Sequence, residues 1–236
     1  MRYEAIRIQR EKEFSEELRQ LFNADVIEGI IREGEVEGRE NWLLAAMHGH
    51  GLKITPGLAP RVHAICEQVK QALEFTDPVE FFVRSDGSLN CSAVPRTGDD
   101  QPHLVIINSG LLERFTDAEL RFVLGHELGH LVSRNSELQR VIRFVFPESD
   151  TIPLTIRDKI ELWDKVSEMS ADRFGFLAEP DLNVCLAVFF KLSSGLDTAS
   201  IRFDPAAYSE EMRRVLETFR TEMADVGVSH PINPIR

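Results

Sequence analysis

Between Phe115 and Leu131 the chain commits to one helix whose surface must serve two purposes. Thr116-Asp117-Ala118-Glu119 is a capping box: the threonine hydroxyl accepts the amide three residues on, and the glutamate reaches back. Phe115 and Leu120 occupy the staple positions on either side. Leu120, Val123, Leu124, Leu128 and Leu131 follow at helical spacing, so most of this helix is core. Gly125 and Gly129 interrupt the stripe at a cost of about 1 kcal/mol of helix propensity each. That cost makes sense where a strand or a substrate packs closely against the backbone.

His126-Glu127-Leu128-Gly129-His130 is the second departure from the apolar pattern. One turn separates the two histidines, so both imidazoles leave the same face and can share one zinc ion. Glu127 beside them is a carboxylate placed to take a proton from a zinc-bound water. A catalytic zinc takes three protein ligands, so a third is needed. Glu168-Met169-Ser170-Ala171-Asp172 lies on a later helix expected over 156–177, with Glu168 and Asp172 four apart on one face. One of them can reach zinc while the other accepts the free N–H of a zinc-bound imidazole. Spacing alone leaves open which does which, and Glu161 and Asp164 read as charges on a solvated face.

The rest of the chain reads as one α+β unit. One or two amphipathic helices are expected between Glu4 and Glu37, from Phe14, Leu18, Leu21, Phe22, Val26 and Ile30. His48-Gly49-His50-Gly51 and Thr55-Pro56-Gly57 mark a break, with the two histidines read as solvated loop residues. That break separates a helical N-terminal segment, 1–58, from a domain covering 59–236. A helix over 58–73 buries Val62, Ile65, Val69 and Leu73. Strands are expected over 79–83, 89–94 and 103–108, and further helices over 183–192 and 209–223. Helices followed by a small sheet and then more helix is an α+β pattern around one core.

Composition narrows the function. A net charge of −12 opposes nucleic-acid binding, which needs clustered Lys and Arg. Cys66, Cys91 and Cys185 form no C-x-x-C pair, which suggests a reducing compartment without a disulfide framework. Cys91 reads as a small apolar residue of the sheet. No apolar h-region follows the start, and no apolar run approaches the roughly 18 residues that span a bilayer. The expectation is a soluble, cytoplasmic protein.

H-E-L-G-H, then E-M-S-A-D, then Ser229-His230-Pro231 with Arg236, resembles the HtpX and CAAX-prenyl-protease type of zinc endopeptidase, within the gluzincins. Asn90 with its strand, Asn108 to Leu112, and Lys191 to Gly195 add to the likeness. The resemblance covers about residues 59–236. It implies a zincin-like fold, mainly helical, with one small sheet whose edge strand (Asn90, Cys91, Ser92) lines the active-site cleft. It further implies one zinc per chain held by His126, His130 and Glu168, with Glu127 as general base and Asp172 orienting a ligand histidine. His230 matches a histidine that hydrogen-bonds the oxyanion, and Arg236 the arginine that follows it. The family's edge strand continues Asn-Ala-Phe where this chain has Asn90-Cys91-Ser92, so the binding surface differs. The implied function is endopeptidase action on peptides or unfolded proteins. The alternative is a catalytically silent or latent zinc-bearing interaction module.

Overall fold

The computed structural model describes residues 3–36, 42–98 and 100–222. The strand propensities of three β-branched and aromatic runs build the sheet: β2 (Val79–Arg84), β3 (Cys91–Val94) and β4 (His103–Asn108), joined by a short β1 (Leu52–Lys53). The order is β1-β2-β4-β3. β4 runs parallel to β2, with Val79 opposite His103, and antiparallel to β3, with Cys91 opposite Ile107. All six residues of β4 are buried, as befits a central strand with both faces covered. β3 has one partner and stands at the edge.

Helices cover both faces of this mixed sheet. On one side lies the main core, where α4 (Pro60–Ala72) and α6 (Asp117–Val132) pack against β2 and β4. Val62, Ile65, Val69 and Leu73 are all buried there, as their spacing predicts. α5 (Ser109–Arg114) leads into α6, whose capping box forms with Thr116 and Glu119 bonded both ways. A buried lysine fixes that end: Lys191 Nζ, on α9 (Leu182–Ser194), donates to the Arg114 carbonyl at 2.7 Å and to Glu119 Oε2 at 2.9 Å.

On the other side, α3 (Trp42–His50) lays Leu43, Leu44 and Met47 over Phe82, Leu104 and Ile106. This corrects the loop expected at His48-Gly49-His50, which is instead the last turn of α3. His48 stacks edge-on against Phe82 with ring centroids 5.2 Å apart. The break falls at Gly51, where a Cβ would sit 2.9 Å from the Met47 carbonyl.

A second core joins α1 (Gln9–Phe22), α7 (Asn135–Val145) and α8 (Leu154–Ala178) through Phe14, Leu18, Leu138, Ile142 and Trp163. α2 (Ala24–Val36) follows α1, so of the one or two helices expected between Glu4 and Glu37 there are two, although Leu21, Val26 and Ile30 stay exposed. α7 falls between α6 and α8, where no helix was expected from the sequence. α10 (Pro205–Glu222) closes the described chain.

The close approach foretold by Gly125 and Gly129 is made by α8, and not by a strand or a substrate. A Cβ on Gly125 would lie 2.6 Å from the Ala178 Cβ, and one on Gly129 would lie 2.8 Å from the Phe174 Cβ. The reciprocal glycine on α8 is Gly175, whose Cβ would meet the Phe122 carbonyl at 2.8 Å. Forcing a methyl into such a contact costs typically about 1–3 kcal/mol, more than the roughly 1 kcal/mol of propensity that alanine restores. Gly125→Ala and Gly129→Ala should therefore lower stability in urea titration. Gly29→Ala on α2, which meets nothing within 4 Å, should raise it. Stabilisation by all three would show that α6 and α8 are not packed this tightly.

Candidate metal centre

α6 presents His126 and His130 toward α8, and α8 returns Glu168 and Asp172. The Nε2 atoms of the two histidines lie 3.1 Å apart. Glu168 Oε1 is 3.2 Å from His130 Nε2, and its Oε2 is 3.5 Å from His126 Nε2. Tetrahedral zinc holds nitrogen and oxygen donors at about 2.0–2.1 Å, which sets them about 3.3 Å from one another. The three donors fit such an ion. Among the described residues this is the one group of three or more His, Cys, Asp or Glu side chains close enough to hold a metal.

Asp172 is not interchangeable with Glu168 here. Its Oδ1 lies 2.9 Å from His126 Nδ1, so that nitrogen donates to the carboxylate and Nε2 is left facing the cluster. Burial pushes the His126 imidazolium toward deprotonation, but bonds and charges from Asp172 and Glu168 outweigh it and lift the pKa to about 10. Metal entering the cluster must therefore displace a proton.

Glu127 lines the same cleft as the three donors and meets the backbone of Ala93 on β3. Burial raises its pKa; the neighbouring histidines and the Ala93 backbone N–H, which it accepts, pull the other way. A cleft of about 800 Å³ opens in front of it. Residues 90–95, running from Asn90 through β3, form one wall, and α7 and α8 form the other. Asn90, Cys91 and Ser92 thus face the same cleft as His126, Glu127, His130 and Glu168. The Cys91 thiol is held protonated, its pKa pushed well up by burial and then by Glu127. His230 and Arg236 lie outside the described residues.

The sequence reading missed the α7 wall, where Ser136, Gln139, Arg140 and Arg143 line the cleft. Arg140 donates to the Pro95 and Arg96 carbonyls at 3.2 and 3.3 Å, tying the end of the edge strand to α7. The spacing of Leu138, Val141 and Ile142 was the available signal for that helix. Ala93 acts through its backbone amide, which no side-chain pattern reveals.

A helix-borne pair of histidines and a carboxylate from a second helix form a three-donor cluster, with a further glutamate adjacent to it. Among known proteins, the model of Peptidase family M48 matches residues 56–147 of the chain. The chain is 23% identical over 181 residues to a plastoglobule-localized metallopeptidase 48 of Arabidopsis thaliana, covering 74% of this chain and 52% of that protein. It is 33% identical over 89 residues to a protease HtpX homolog of Acaryochloris marina, and 30% over 92 residues to one of Moorella thermoacetica. These alignments cover 37% and 39% of this chain and 29% and 30% of the two homologs. The chain thus spans about half the length of the first relative and under a third of the other two. No solved structure shows a significant match. The HtpX-type resemblance read from the sequence is thereby shown, while Glu168 and Asp172 lie beyond the matched family segment.

The geometry separates the two carboxylates by experiment. Elemental analysis should find near-stoichiometric zinc in the purified protein and a sharp loss in His126→Ala and Glu168→Ala. Asp172→Asn should keep a metal but bind it about 10–100-fold more weakly, the usual loss for a partner of a ligand histidine. Full zinc in Glu168→Ala with none in Asp172→Ala would reverse the assignment.

Proposed function

We propose that this chain is a zinc-dependent endopeptidase with a zincin-like peptidase domain over 59–236. His126, His130 and Glu168 are the zinc ligands, one zinc per chain, and Glu127 is the general base. One observation carries the reading: Glu127 shares a single cleft with a three-donor cluster that fits zinc and with the open edge of β3.

When bound, zinc polarises the scissile carbonyl and lowers the pKa of water from 15.7 to about 7. Glu127 accepts the proton of the attacking water and delivers it to the leaving amine. Its burial raises its basicity, and the Ala93 amide fixes the direction of the carboxylate. Asp172 keeps His126 in the tautomer that presents Nε2. A substrate in extended conformation adds to β3 as a further strand, using main-chain hydrogen bonds that are largely indifferent to sequence. Peptides and unfolded proteins are the substrates that meet this requirement. By resemblance His230 donates to the oxyanion, a contact typically contributing about 2.7–4 kcal/mol to the transition state.

No helix among the described residues is long and apolar enough to cross a membrane. With three cysteines free and buried, we assign the protein to the cytoplasm, acting without a nucleic-acid partner.

Incubation with unfolded casein, followed by mass spectrometry, should reveal internal cleavages that a chelator abolishes. Glu127→Gln should keep its zinc while turnover falls by at least about 10²-fold. His230→Phe should lower kcat more than it raises KM. Full activity in Glu127→Gln would contradict the mechanism. Zinc-loaded wild type that cleaves nothing across a broad panel would favour the silent interaction module.

A further inference from the structure

Glu11 looks unremarkable in sequence, one of many charges on the first helix, yet it is completely buried. Arg7 grips its carboxylate at both oxygens, from Nε at 2.8 Å and Nη2 at 2.9 Å. Two serines complete the set: Ser15 Oγ donates to Oε1 at 2.9 Å, and Ser170 Oγ to Oε2 at 3.4 Å. Each serine also accepts a donor. Ser15 takes the Trp163 indole N–H at 2.8 Å, and Ser170 takes the Ile8 amide at 3.0 Å. The carboxylate is therefore the hub through which α1 holds α8 at Trp163 and at Ser170.

Those two attachment points bracket Glu168. Trp163 and Ser170 are seven residues apart and share one face of α8. Glu168 and Asp172 leave at about 140° and 180° around the helix from Trp163, on its far side. α8 is thus pinned on one side by the Glu11 network, while its other side carries the carboxylates to the two histidines of α6. A buried carboxylate held by a bidentate guanidinium is a rigid, directional anchor, and removing its charge leaves Arg7 with only the exposed Glu4, 3.2 Å from its Nη1, as a carboxylate partner.

We propose that Glu11 is a positioning residue of the metal centre, setting where α8 places Glu168 and Asp172. This gives the N-terminal segment a role in the site, and it rests on the reading of His126, His130 and Glu168 as ligands.

The test uses the full chain, stripped of metal and titrated with zinc against a competing chelator, with cobalt as a visible-spectrum probe. Glu11→Gln should weaken zinc binding about tenfold, the lower end for residues supporting a metal ligand, and shift the cobalt bands. Leu18→Ala opens the apolar part of the same α1–α8 interface. It should lower Tm at least as much while leaving zinc affinity and the cobalt spectrum as in wild type. Should Glu11→Gln fail to fold, Ser170→Ala decides, with a weaker change in the same direction. Wild-type zinc affinity in the folded Glu11→Gln or the deciding Ser170→Ala overturns the proposal, as does equal weakening by Leu18→Ala. Glu168→Ala run alongside distinguishes the two claims. If it too binds zinc like wild type, the ligand assignment has failed; if it alone loses zinc, only the positioning role has.

Discussion

The contact between α6 and α8 is close because glycines on each helix let Ala178, Phe174 and Phe122 of the other helix press against the bare backbone. Gly125, Gly129 and Gly175 create it, and the donor cluster depends on it. With alanines at those positions the helices would have to separate. A separation of an ångström would carry Glu168 beyond the reach it now has of the two imidazoles, 3.2 and 3.5 Å. Helix propensity is given up along α6 in return for placement on a neighbouring face. The same helix thus holds a core stripe, a packing notch and the two histidines of the cluster, each at its own angle.

Buried carboxylates recur at the joints between helices. Glu119 links the start of α6 to Lys191 on α9, Glu11 links α1 to α8, and Glu168 with Asp172 links α8 back to α6. A buried carboxylate must be matched by donors or positive charge, because desolvation otherwise drives it neutral or drives the fold apart. At Glu119 and Glu11 the match is a lysine or an arginine. At Glu168 and Asp172 it is a pair of imidazoles, whose remaining lone pairs suit a divalent cation. The first two joints are thereby complete in themselves, while the third is the one for which we propose a bound cation.

Much of this was legible in the chain. The capping box, the stripe from Leu120 to Leu131 and the four-residue spacing of His126 and His130 all act within a few turns, and each appears as read. β2, β3, β4 and α8 were legible for the same reason, whereas the two-residue β1 was not. What escaped depends on distant partners. α3 survives its glycine because Phe82, Leu104 and Ile106 lie beneath it; α7 is the exception, since Leu138, Val141 and Ile142 carried a local signal for it. Gly125 and Gly129 signalled a close neighbour without naming it. Glu11 is indistinguishable locally from Glu13 or Glu16; only the fold makes one buried and leaves the others at the surface.

Extended X-ray absorption at the zinc edge of the metal-loaded protein examines the centre without reference to catalysis. The account predicts a four-coordinate first shell made only of nitrogen and oxygen at about 2.0–2.1 Å, with outer-shell scattering from two imidazoles. A sulfur scatterer at about 2.3 Å, which would bring in a cysteine such as Cys91, or a shell with fewer than two imidazoles, would contradict it.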